Sequence, residues 1–138
     1  MAIAPATLVV VVLAIPAAAA VLGPPVIREP WTPLPCPAHP TSTIEMEGCL
    51  ERAIMRSDRR IDESAARIFR LLRQESARVA FVQGEQAWLR YRRRSCSAEA
   101  SVYRGGTAEP VAFLSCEKRR NVQHIADLAA MERTLAQE

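Results

Sequence analysis

The stretch AWLRYRRRSC, Ala87 to Cys96, sets four arginines around a tryptophan and a tyrosine and ends in a cysteine. It reads either as a nucleic-acid-binding strip or as one face of a buried helix. On a helix, Trp88 and Tyr91 are three apart and share a face with Gly84 and Ser95, while Arg90, Arg93 and Arg94 fall elsewhere and Arg92 is intermediate. An aromatic stripe at that spacing is expected to be core. The arginines then form a solvated face, with Asp58, Asp62 and Glu63 as partners. The nucleic-acid reading needs exposed aromatics and a compartment that holds nucleic acid. The compartment is read at the other end of the chain.

The N-terminus, MAIAPATLVVVVLAIPAAAAVLGPP, has an uncharged apolar run from Ala6 to Ala20 that ends in small residues. That pattern predicts a signal peptide over residues 1–20, with cleavage after Ala20. Retention as an N-terminal anchor is the alternative, although Pro16 interrupts the run. Residues 21–40 follow, with seven prolines between Gly23 and Pro40. Proline removes backbone donors, so this segment is expected to be an extended tether rather than a helix. Residues 41–138 remain for one domain with a modest core.

Export decides the reading of the cysteines. Cys36, Cys49, Cys96 and Cys116 form an even set in a small exported chain, which favours two disulfides. There is no C-x-x-C pair. Cys36 and His39 are the nearest approach to a zinc spacing, and metal, like any cofactor, is not expected. Eighteen basic residues, all arginine but Lys118, face 15 acids, for a net charge of +3. An excess this small points to weak contact with anionic lipid or wall polymer before nucleic acid.

Downstream, Ser42 and Glu45 form a capping box that opens a helix predicted from Ser42 to Arg73. Its inward stripe is Met46, Leu50, Ala53, Ser57, Ile61, Ala65, Ile68 and Leu72, and Gly48 is expected to weaken its first turns. A second stripe runs Phe81, Gly84, Trp88, Tyr91, Ser95. Between the two lies RQESA, where a turn with Ser76 as the new N-cap is favoured over one continuous helix in a dimer. A monomer is correspondingly favoured. SAEASVYRGGTAEP supplies the next loop, with Thr107 as a cap and Pro110 in the first turn of a third helix that reaches Leu135. Val111, Leu114, Val122, Ile125, Leu128 and Met131 are expected to face inward. The fold class is therefore all-α: a small bundle of three antiparallel helices held by two disulfides.

Pairing each cysteine with its nearest neighbour across an irregular segment favours Cys36–Cys49 and Cys96–Cys116, with the other two connectivities open. Each bridge would contribute about 3 kcal/mol in the chain-entropy model.

Cys36, EMEGC (Glu45–Cys49), Asp58, Asp62, then A-W-x-x-Y-R-x-x-x-C through Trp88, Tyr91, Arg92 and Cys96, then GGT (Gly105–Thr107) and Cys116 together resemble the lysozyme-inhibitor LprI-like N-terminal domain. The resemblance spans about Cys36 to Leu128. It implies a small exported bacterial binding protein that inhibits a lysozyme or related glycan hydrolase, and it carries over no catalytic or inhibitory residue. Enzyme activity is not expected. No nucleophile elbow, H-E-x-x-H or phosphate loop occurs, and arginines beside the carboxylates of the first helix argue against a raised-pKa general acid. His39 and His124 each read as structural or solvated.

The loop Tyr103, Arg104, Gly105, Gly106 and Thr107 is the candidate contact for a lysozyme or another envelope protein. The competing function is an interaction module that grips wall polymer, anionic lipid or a protein through its arginine faces.

Overall fold

The computed structural model describes residues 22–32 and 34–137. The expected signal peptide, residues 1–20, lies outside the described residues. Helix α1 covers Thr43–Leu71, α2 Glu75–Ala100 and α3 Ala108–Leu135, with a 3-10 turn at Ser101–Tyr103 before α3. No strand occurs among the described residues, and no helix there is long and apolar enough to cross a membrane.

The start of α1 is the one the sequence announces. Ser42 Oγ accepts the Glu45 N–H at 3.3 Å while Glu45 Oε2 accepts the Ser42 N–H at 3.1 Å. Such a cap is worth about 1 kcal/mol. The end of α1 differs from expectation. The chain turns at Leu72–Gln74, and Gln74 stands at the N-cap of α2 without a side-chain cap bond, so Ser76 lies inside the helix. The turn is held from a distance. Arg78 Nε donates to the Leu72 carbonyl at 2.7 Å, and its guanidinium sits 5.1 Å from the centre of the Phe69 ring. A long cationic side chain satisfies an orphan carbonyl here and covers an aromatic face as well. The continuous-helix alternative is thereby removed.

Contacts fix the topology. Asp58 meets Asn121 and Ser64 meets Glu132, so α1 and α3 run parallel. Arg92 meets Asp58 and Ser95 meets Arg120, with α2 antiparallel to both. Both disulfides form as favoured, Cys36–Cys49 and Cys96–Cys116.

The apolar core lies toward the α1/α2 turn: Ile61, Ala65, Ile68, Phe69, Leu72, Phe81 and Leu128. Ile54 is buried on the same side of α1. Several positions expected inside lie outside. Met46, Tyr91, Val122 and Met131 are exposed, as is Gly84. The reason is one of phase. The buried line of α2 is Phe81, Glu85, Trp88 (half-buried), Arg92, Cys96, in steps of four, three, four and four. Tyr91, one residue from Arg92, is rotated about 100° away from that line.

The proline-rich segment is extended, and it is seated on the helices. Leu22 and Ile27 pack against the core, and the Ile27 N–H donates to Asp62 Oδ1 at 2.9 Å. Arg52 Nη2 donates to the Leu34 carbonyl at 3.3 Å. Gly48 has a different role from that of a weak helix residue. A Cβ there would lie 2.2 Å from the Pro35 carbonyl oxygen, so glycine is what lets this segment approach α1 beside the Cys36–Cys49 bridge.

Candidate functional site

Two groups of residues stand out, one on the surface and one beneath it. The surface group is the loop between α2 and α3. Gly105 takes φ 79°, a backbone angle that favours glycine. Its N–H donates to Glu109 Oε2 at 2.8 Å, and the Gly106 N–H donates to the Tyr103 carbonyl at 2.9 Å. The Cys96–Cys116 bridge ties the two helices that carry the loop. Thr107, expected to cap α3 through its side chain, makes no such bond, and the helix begins at Ala108, two residues before Pro110. On this short, bonded loop the apolar side chains point to water: Val102 is 81 % exposed and Tyr103 51 %. Arg104, Gly105, Gly106 and Thr107 are exposed with them.

The second group is a buried ion cluster. Arg92, read as intermediate between the aromatic stripe and the solvated arginines, is completely buried; Arg90, Arg93 and Arg94 are exposed. Arg92 Nη1 donates to Asp58 Oδ1 at 2.8 Å and to Asn121 Oδ1 at 2.6 Å. Glu29 Oε1, from the extended segment, lies 2.8 Å from Arg92 Nη2, and Glu117 Oε1 lies 3.5 Å from Nε. Those two contacts lie off the N–H directions, so they act as charge pairs rather than as aligned hydrogen bonds. Asn121 Nδ2 completes the net, donating to Ser57 Oγ and to Asp58 Oδ1, both at 2.7 Å.

Three carboxylates thus surround one guanidinium. Burial outweighs the favourable charge of Arg92 at two of them. It raises Asp58 above the ordinary aspartate range and pushes Glu117 up to about 7. Glu29 adds to both shifts by like-charge repulsion. For Arg92 itself burial is the largest single influence and opposes its charge, yet Glu117, Asp58 and Glu29 together raise its pKa. The expectation that arginines would keep the acids of the first helix low is therefore overturned at Asp58. Asp62 is likewise raised, by burial, against the bond from Ile27.

Next to this cluster, His124 Nε2 lies 2.8 Å from Glu85 Oε2, and its ring stacks on Trp88 with centroids 3.8 Å apart. Trp88 and Arg92 of the AW…YR motif are therefore interior, whereas Tyr91 lies outside with the Arg120 guanidinium 5.5 Å from its ring centre. Among the described residues, no group of three His, Cys, Asp or Glu could hold a metal ion.

Glu29, Glu117, Asn121 and Glu85 were not singled out from the sequence. A signal for three of them exists in helical phase. Leu114, Glu117, Asn121, His124 and Leu128 follow steps of three and four, the period of a buried stripe, as do Ile54, Asp58 and Ile61. Polar residues that keep the phase of a core line are the ones buried here. No local pattern marks Glu29, which enters the cluster from 63 positions before Arg92 in the chain.

We found no match to this chain among curated proteins or among solved structures. The family model described as lysozyme inhibitor LprI matches residues 36–128, from the first cysteine to the last core leucine of α3. With two thirds of its length matched, both disulfides formed and the helical order in place, the chain belongs to the LprI lysozyme-inhibitor family.

Proposed function

We propose that the protein is an exported, non-catalytic inhibitor that blocks a lysozyme or related glycan hydrolase with the loop Tyr103–Thr107. Family membership supports the class of partner. The observation that carries the choice of loop is its form: exposed Val102 and Tyr103 on a short turn braced by internal hydrogen bonds and a nearby disulfide. A braced loop loses little conformational freedom on binding, so more of its contact energy appears as affinity. Exposed aromatic and arginine side chains are the residue types that dominate such interfaces. Glycan hydrolases of this kind work with two carboxylates flanking the scissile bond, and Arg104 offers a planar donor fork for one of them.

The test is a titration of the oxidised protein against several lysozymes, repeated with a Tyr103→Ala/Arg104→Ala variant. Inhibition by the native chain and at least a tenfold weaker effect of the variant are expected. Unchanged turnover at stoichiometric excess removes the inhibitor reading, and full potency of the variant moves the contact elsewhere.

A second reading rests on one surface. Tyr91 is exposed on α2 with Arg90 and Arg94 around it and Arg120 over its ring. That face suits an anionic wall polymer or lipid surface. Retention on peptidoglycan or anionic vesicles that falls at high salt supports it, and equal retention at low and high salt counts against it.

A further inference from the structure

The extended segment before the first cysteine is attached in a way that the three helices are not. From Leu22 to Trp31 it has no regular structure and runs antiparallel to α1, from Leu22 near the apolar core to Leu34 beside Gly48. Among the described residues it is attached at several points, and Trp31 shares a cleft with Gly48, Arg52 and Met55 of α1. Leu22 and Ile27 pack against the core, the Ile27 N–H reaches Asp62, and Glu29 reaches Arg92 and Arg93. Pro25, Val26 and Ile27 form one wall of a cleft of about 70 Å³ whose other walls are Ile61, Asp62, Ala65, Glu85, Gln86, Trp88 and Leu89. The segment thus covers part of a groove between α1 and α2.

Its acidic residue meets an unbalanced cluster. Around Arg92 stand Asp58 from α1, Glu117 from α3 and Glu29 from the segment, with Arg93 of α2 at the rim, 3.1 Å from Glu29. Asp58 and Glu117 belong to helices and cannot leave without unfolding. Glu29 can leave. With every acid ionised, the buried guanidinium faces three negative charges, and the third arrives with the segment.

We propose that Leu22–Trp31 is a latch whose closure over the α1/α2 groove is coupled to the binding of one proton by the carboxylates around Arg92. The sign follows from linkage. Burial most of all, and like-charge repulsion from Glu29 besides, raise the pKa of Glu117, which stands at about 7 with the segment seated. Whatever raises the proton affinity of Glu117 is itself held more tightly when Glu117 is protonated. Closure is favoured in acid and is weakened as pH rises through about 7. Opening bares Ile61, Ala65, Trp88 and Leu89, an apolar surface next to a buried cation.

Hydrogen-exchange mass spectrometry on the oxidised full chain tests this, with protection factors corrected for intrinsic exchange at pH 5 and pH 8. Peptides from 22–32 should be more protected at pH 5, by about tenfold for each unit by which closure shifts Glu117, while α3 peptides keep theirs. Glu117→Gln should make the pH dependence of latch protection smaller, with a remainder from Asp58, which Glu29 also raises. Glu29→Gln, a change on the segment that spares the helices, should also flatten the dependence. Equal protection at both pH values in the native chain overturns the proposal. So does an undiminished pH dependence in Glu29→Gln, or a loss of α3 protection in step with the latch.

Discussion

The two halves of this bundle are held together by different physics. Toward the α1/α2 turn, Ile61, Ala65, Ile68, Phe69, Leu72, Phe81 and Leu128 form an ordinary apolar core. Toward the opposite end, the same three helices enclose Arg92, Asp58, Glu117 and Asn121, with Cys96–Cys116 alongside. The first half needs shape and apolar area. The second needs partners, because a buried charge without its counter-charge is costly. A bundle can thus substitute a buried ion net and a covalent bridge for part of its apolar interior. The charged half then responds to pH and to the loss of single atoms in ways that the apolar half does not.

The largest effect should come from Arg92→Ala, which leaves Asp58 and Glu117 buried without their cation. A loss of about 3–5 kcal/mol is expected in denaturant melts. A loss below about 1 kcal/mol would show that water compensates the acids and that the ion net is not what joins the helices. Ile68→Ala, in the apolar half, should cost about 2–5 kcal/mol through lost burial and a cavity. The decisive contrast is in pH dependence: Ile68→Ala should shift the stability curve without changing its slope against pH.

Replacing Cys96 and Cys116 together by serine should cost about 3 kcal/mol. Because the bridge ties α2 to α3 beside the loop, the variant should also exchange amide hydrogens faster at 101–107 than at the α1/α2 turn. Equal acceleration at both ends would dissolve the distinction between the halves.

Smaller, and confined to the charged half, is the pH slope itself. The ordinary glutamate value is 4.5, and burial first of all holds Glu117 near 7 in the fold. Between those values the folded chain holds more protons than the unfolded one, so stability falls as pH rises from about 4.5 and levels off above about 7. Glu117→Gln should make that window flatter, leaving a remainder from Asp58, which is raised by the same cause. An unchanged slope in a urea series at several pH values would show that Glu117 titrates normally.

The smallest effect on the helices should come from Gly48→Ala. The new Cβ would meet the Pro35 carbonyl, so it should loosen the proline segment while α1, given a better helix former, keeps its helicity by circular dichroism. Undisturbed exchange in 22–35 would mean that the segment adapts.

The legible parts of the molecule were those governed by neighbours in sequence. Ser42 and Glu45, three apart, announced the first cap, and the cysteines flanking irregular segments announced both bridges. The loop Tyr103–Thr107 was legible as an exposed connection because Gly105-Gly106 breaks the helical pattern. Tyr91 and Val122 were misplaced because apolar character was given more weight than helical phase. Arg92 was read as intermediate between core and surface. Its charge argued for solvent, while its position between Trp88 and Cys96 argued for the core, and position prevailed because three acids were waiting there.

By itself, then, the order of residues determined three helices, the loops between them and the two sulfur bridges, since caps, breakers and 3.6-residue periodicity act within a few positions of one another. Tertiary structure alone decided which arginine is interior, which carboxylates bind their protons more tightly than usual and where the proline segment lies. A charge can be buried only when its counter-charges arrive together, and Glu29, Asp58 and Glu117 reach Arg92 from 63, 34 and 25 positions away along the chain.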